Sequence, residues 1–245
     1  MFRRKSTPPS LPDTALSDAV PPDDGDQPSS HRAAIGRKTA AKLARNPMVQ
    51  RLESDTLTLY TRQHLASAQE CAALRAIIDA GAQPSVLFSG SASADYRTSD
   101  SCHMDPGHKL VSTITARISA LMGMDPSYGE TIQGQRYRPG QEYKFHCDYF
   151  PVDASYWPQM RAQGGQRCWT AMLYLNSLDG GGETVFPQGG FAITPQEGQL
   201  LIWNNLRKDG SPNPDTLHAA QPVTSGIKYV LTQWFREQPW LATRR

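Results

Sequence analysis

Hydrophobic and polar positions change their rhythm about half-way along the chain. Ser67 followed by Glu70 makes a capping-box pattern, and it predicts a helix with Leu74, Ile77 and Ile78 on one face and Gly81 as its stop. A second helix is predicted over 107–122, where Leu110, Ile114, Ile118 and Leu121 recur every three to four residues. After Pro126 the period shortens. Short apolar or alternating runs follow at 131–137, 142–150, 168–175, 184–186, 191–193, 199–203, 217–220 and 228–235. Turn-forming clusters separate them, among them Arg138-Pro139-Gly140, Asp179-Gly180-Gly181-Gly182 and Ser211-Pro212-Asn213-Pro214. Such strands, preceded by two helices, fit a mainly β sandwich or jelly roll braced by helices on one side. The gaps between the runs are too short for crossover helices, which excludes a parallel βαβ arrangement.

Residues 1–50 follow a different pattern. Six prolines fall within the first thirty residues, then an acidic knot at Asp23, Asp24 and Asp26, then a basic stretch from Arg32 through Arg37, Lys38 and Lys42 to Arg45. So little apolar surface does not offset the entropy of ordering, so this part is expected to be a mobile, basic, Pro-rich tail whose last portion can become helical. Its formal charge is +3, and that of residues 51–245 is −1. The expected division is therefore a tail over 1–50 and one globular domain over 51–245, with helical support at about 65–125 and a β core at about 130–238.

Composition narrows the function classes. The 245 residues are 38% hydrophobic and 20% charged, enough to bury a core. The net charge of +2 is too balanced for nucleic acid to be bound by bulk charge. A mean hydropathy of −0.53 and the lack of any run of about 18 apolar residues argue against a membrane span. The opening Met1-Phe2-Arg3-Arg4-Lys5 leads into Ser, Thr and Pro rather than an apolar stretch, so secretory export is not expected and a cytoplasmic location is. Cys71, Cys102, Cys147 and Cys168 form no CxxC pair and suggest neither a disulfide framework nor a zinc knuckle.

Candidate chemistry begins at Phe145-His146-Cys147-Asp148. On a strand, His146 and Asp148 project to the same side and can share one metal ion. His218 stands 72 residues later in another strand-like run. Two histidines and one carboxylate leave coordination positions open, as expected for non-heme Fe(II) that also holds a cosubstrate and dioxygen; a structural zinc site would close all four. His31, His64, His103 and His108 have no comparable partners and read as structural or surface residues. Lys228 follows a turn after His218, so its strand returns beside that histidine, with Lys228, Val230, Thr232 and Trp234 on one face. A cation in an apolar run needs an anion if buried, and an iron-bound dicarboxylate would supply it. Tyr174 shares a face with Thr170, while Tyr137 and Tyr143 are equally readable as core aromatics.

Together these residues resemble the 2-oxoglutarate and Fe(II)-dependent dioxygenases, most closely the prolyl 4-hydroxylase catalytic domain. The similarity lies in five ordered stretches, 136–148, 167–176, 181–187, 198–205 and 218–228, and extends more weakly from about 57 to 238. The resemblance implies a double-stranded β-helix, a cupin-like jelly roll, with iron on His146, Asp148 and His218. It also implies 2-oxoglutarate with its 5-carboxylate on Lys228, Tyr174 and Thr170 near that carboxylate, and Tyr137 facing the iron. A lysine at 228 favours the prolyl 4-hydroxylase branch over relatives that use a guanidinium fork. The implied reaction consumes dioxygen, releases succinate and carbon dioxide, and hydroxylates an unactivated C–H, with ascorbate as the usual reductant.

Two segments are candidates for substrate contact. The loop 151–165, with Trp157 and Arg161, is long enough for a lid. The small-residue-rich segment 87–100 contains Tyr96 and Arg97, and Trp234 extends the face of Lys228. The leading expectation is a prolyl residue in a peptide or protein. The alternatives are a free amino acid or other small molecule, or a metal- and ligand-binding jelly roll without turnover.

Overall fold

The computed structural model describes residues 25–85 and 96–240. An eight-stranded antiparallel sheet forms the frame. Its spatial order is β1 (Val49–Leu52), β2 (Leu59–Arg62), β11 (Leu200–Asn204), β7 (Arg167–Tyr174), β14 (Lys228–Arg236), β5 (Gln133–Tyr137), β4 (Asp100–His103) and β3 (Gln83–Pro84). Facing it is a four-stranded sheet, β10 (Phe191–Ile193), β9 (Thr184–Phe186), β12 (His218–Ala220) and β6 (Tyr143–His146), with a small ribbon of β8 (Gly180–Gly181) and β13 (Val223–Ser225). Three helices, α1 (Ser30–Ala44), α2 (Ala68–Gly81) and α3 (Lys109–Met122), cover the outer face of the large sheet, and a short α4 (Trp157–Ala162) follows β6.

The central strands look almost wholly apolar because both of their faces are buried. On β7, Trp169, Ala171 and Leu173 pack with Leu74, Ile78, Ile114 and Ile118 in the helical layer. The alternate residues Met172 and Tyr174 turn inward to join Leu59, Tyr137, Phe186, Leu201, Trp203 and Val230 between the sheets. This two-residue alternation leads side chains of β5, β7, β11 and β14 into the space faced by β6, β9 and β12. The jelly-roll architecture expected from the strand pattern is the one observed, and α2 carries both reciprocal capping-box hydrogen bonds.

For residues 25–50 the expectation of a mobile tail is corrected, while the helix expected in its last portion is present as α1. Ser29 caps α1 by accepting from Arg32 N, and Ala33, Thr39 and Leu43 are buried. Arg32 is only 1% exposed; its guanidinium pairs with Glu237 at 3.3 Å, and Nε donates to Gly210 O at 2.7 Å. A charge count treats such an arginine as solvated, whereas an acid at the far end of the sheet offsets its desolvation. Residues 1–24 of the expected tail, and 87–95 of the small-residue segment, lie outside the described residues.

Candidate metal and cosubstrate site

His146 and His218 are direct register partners across the antiparallel pair β6–β12, with ring centres 4.2 Å apart. Asp148 departs from the expected strand geometry, since β6 ends at His146 and the acid sits in the bend beyond. It still converges. Its Oδ1 lies 3.8 Å from His146 Nε2 and its Oδ2 3.9 Å from His218 Nε2. One donor atom from each of the three residues lies within 4.8 Å of the others, and among the described residues no fourth ligand-type side chain joins the cluster.

Hydrogen bonds fix both imidazoles in the form a metal requires. His146 Nδ1 meets Lys144 O at 2.8 Å and His218 Nδ1 meets Thr216 O at 2.9 Å. A carbonyl only accepts, so each Nδ1 carries the proton and each Nε2 presents its lone pair toward Asp148. Burial, reinforced by the neighbouring His218, pulls His146 down to about 3, which keeps it neutral. Burial pushes Asp148 the other way, but His218, His146 and Arg167 outweigh it and hold the carboxyl below its ordinary value. Two neutral nitrogens and one carboxylate suit Fe(II) and leave positions for exogenous oxygen ligands.

Lys228 opens β14 and faces the same cavity, which is also lined by Tyr137, Tyr143, Thr184, Trp203 and Trp234. The lysine is 1% exposed, with Nζ 5.3 Å and 5.6 Å from the ring centres of Tyr137 and Tyr174. Glu183 acts on it only as a through-space charge, and burial lowers the amine to about 7. A buried ammonium set among aromatic rings is an incomplete pair, and an anionic ligand completes it. The Tyr174 hydroxyl donates to Thr184 Oγ1 at 2.8 Å, and that of Tyr137 donates to Gln135 Oε1 at 2.9 Å.

Other expected residues fall elsewhere. Thr170, expected beside the distal carboxylate of the cosubstrate, instead donates its hydroxyl to Asp148 Oδ2 at 2.7 Å; the hydroxyl that joins Tyr174 is that of Thr184. Trp157 packs with Phe150 and Met160 in a separate small cluster, and neither it nor Arg161 lines the cavity. The apolar face of α4 is what fastens this segment, so the loop expected as a lid is packed down. Tyr96 and Arg97 do not line the cavity but adjoin its Tyr143 wall. The Tyr96 hydroxyl donates to Phe145 O at 2.5 Å, and the Arg97 guanidinium lies 4.9 Å over the Tyr143 ring.

Two contacts were not foreseen, one of them at Tyr143, which the sequence offered as a core aromatic. Tyr143 stacks on His146 with ring centres 3.6 Å apart. Arg167 makes a two-pronged pair with Glu130, at 2.6 Å and 2.7 Å, and lies 4.0 Å over the Trp234 ring. Arg236 shares the same Glu130 oxygen at 2.5 Å, and against the upward push of burial the two arginines hold Glu130 below its ordinary value. The signal was present. An arginine opening an apolar strand demands an acid just as Lys228 does.

The family model of the 2OG-Fe(II) oxygenase superfamily matches residues 132–236, which include every residue of the triad and Lys228. Residues 132–236 form a domain of the 2-oxoglutarate/Fe(II) oxygenase superfamily. The chain is 36% identical to prolyl 4-hydroxylase subunit alpha-3 of Bos taurus over 176 residues, covering 70% of this chain and 32% of that protein. It is 33% identical to prolyl 4-hydroxylase 5 of Arabidopsis thaliana over 166 residues, 60% of this chain and 55% of that one. The oxygenase therefore spans about a third to a half of these curated relatives. Among solved structures, it resembles the viral collagen prolyl hydroxylase of Paramecium Bursaria Chlorella virus-1 in its 2OG complex, with a TM-score of 0.58 and 28% identity, covering 73% of this chain and 95% of that one.

Proposed function

We propose that this oxygenase hydroxylates prolyl residues of a peptide or protein, with His146, Asp148 and His218 holding Fe(II) and Lys228 receiving the 5-carboxylate of 2-oxoglutarate. The observation that carries the reading is the placement of a buried lysine amine in the same cavity as the three convergent donors. Bound there, iron and 2-oxoglutarate supply a dioxygen-dependent oxidation that yields succinate and carbon dioxide and inserts a hydroxyl into a C–H bond. The protein supplies position and charge. The two Nδ1–H groups are spent on backbone carbonyls, leaving Nε2 for the metal. Tyr174, kept as a phenol because burial raises it, holds Thr184 at the cavity wall. Tyr143 and Trp234 give the cavity flat apolar walls of a kind that a pyrrolidine ring packs against, and Tyr96 packs edge-on against Tyr143. Peptidyl proline as substrate is supported by the prolyl 4-hydroxylase names of the relatives.

The test is succinate release from the full chain given Fe(II), 2-oxoglutarate and proline-rich peptides, read with the mass gain of one oxygen on proline. Peptide-stimulated turnover is expected, and His146→Ala and Asp148→Ala should each abolish it. Full turnover in both variants would end the ligand assignment. Hydroxylation of a free amino acid with every peptide untouched would end the peptidyl part.

A further inference from the structure

Asp148 is held by Thr170, and Thr170 in turn by Asn205, neither of which the proposed reaction itself requires. Thr170, on β7 and 0% exposed, donates its hydroxyl proton to Asp148 Oδ2 at 2.7 Å. Asn205, one residue past β11 and also 0% exposed, donates Nδ2–H to Thr170 Oγ1 at 2.9 Å. The direction of this chain is set by chemistry. An ionised carboxylate only accepts and a hydroxyl has one proton to give, so the group reaching Thr170 from Asn205 must be the amide N–H. The arrangement has a visible cost, because Asn205 Oδ1 is left buried without a partner.

The backbone of the same residue leads to a second ligand. Asn205 O accepts from Asn213 N at 3.0 Å, and Asn213 O accepts from Thr216 Oγ1 at 2.6 Å. Thr216 O is the acceptor for His218 Nδ1 at 2.9 Å. Residues 205–218 thus reach Asp148 at one end and His218 at the other.

We propose that Thr170 and Asn205 are positioning residues for the metal centre. By holding Oδ2 of Asp148 at 2.7 Å, Thr170 fixes the rotation of the carboxylate and the direction in which its oxygens face the ion. Asn205 fixes the rotor of that hydroxyl and ties it to the segment that orients His218. This inference rests on the three-ligand assignment above.

The experiment titrates Co(II) into the full chain without cosubstrate or peptide, reading affinity against a competing chelator and the visible absorption of the bound ion. Thr170→Val keeps the shape and removes the donor; it should weaken Co(II) by about ten- to a hundredfold and change the spectrum. Thr170→Ser should restore both. Asn205→Ala should weaken binding less, and the double variant should be no weaker than Thr170→Val, because Asn205 acts through Thr170. If Thr170→Val does not fold, Asn205→Ala decides alone. Affinity within about twofold of wild type and an unchanged spectrum in the folded variants would overturn the relay, since ligand-orienting partners ordinarily matter at tenfold or more. A wild-type chain that takes up no Co(II) would instead remove the ligand assignment.

Discussion

A single amine ties proton binding to cosubstrate binding. Burial lowers Lys228 to about 7, Glu183 pulls weakly in the opposite direction, and the Tyr137 and Tyr174 rings face Nζ. A carboxylate pairs only with the protonated amine. Below pH 7 the proton is already present, so 2-oxoglutarate binding should vary little with pH. Above pH 7 each binding event must take up a proton, and the dissociation constant should rise about tenfold per pH unit until the paired amine itself titrates. Calorimetry in buffers of different ionisation heat would show the proton uptake, and Lys228→Met should remove the slope as well as most of the affinity. A flat profile from pH 6 to 9 in the wild type would detach Lys228 from the cosubstrate. Lys228 and the triad were singled out from the chain alone, but not their geometry: β14 lies in the large sheet rather than beside β12, and Asp148 lies past the end of β6. The contact of Thr170 was not legible either. Its hydrogen-bond target depends on where Asp148 sits once the chain has left β6, and no strand alternation specifies that position.

At the scale of elements, the β8–β13 ribbon backs the amine. Gly182, one residue beyond β8, has φ +72°, and a Cβ there would meet Leu178 Cδ1 at 2.7 Å and Lys228 Cδ at 3.3 Å. Gly182→Ala therefore adds left-handed strain of ~1–2 kcal/mol and crowds the stem of the lysine. The expected result is several-fold weaker 2-oxoglutarate binding with Co(II) affinity unchanged, measured by the same titrations; equal loss of both would point to general unfolding instead. The Gly180-Gly181-Gly182 cluster read simply as a turn, since its contact with Lys228 joins segments far apart in the chain. Where local chemistry decides an element, the expectation held: α2 runs from the residue after Ser67 to Gly81, and β9 and β10 fall on the expected positions. Strand β4 was missed because Asp100–His103 carries polar side chains, and its place comes from backbone pairing with β5. Short α4 was missed because one turn offers too few positions to show a period.

For the whole molecule, the decisive misreading was of residues 25–50, which close the structure rather than trail from it. Helix α1 lies against α3, and Leu43 enters the core beneath the large sheet. Arg32 bonds Glu237 and the carbonyls of Gly210 and Gln27. Glu237 also accepts from Gln166 N at 2.6 Å, and Gln166 is paired on both sides with the backbone of Phe150, two residues beyond Asp148. The N-terminal helix, the end of β14, the start of β7 and the chain leaving the metal site thus share one buried polar network. Removing one partner of a buried ion pair strands the other, at a cost of ~3–5 kcal/mol. Arg32→Met should therefore lower the unfolding free energy measured by urea titration by that order, and the Arg32→Met, Glu237→Gln double variant should lose less than the sum of the single variants because the stranded charge is gone. Co(II) affinity of the folded fraction should stay near wild type, since neither residue reaches His146, Asp148 or His218. A change below about 0.5 kcal/mol for Arg32→Met, the size of an ordinary surface substitution, would return α1 to the status of a loosely attached tail.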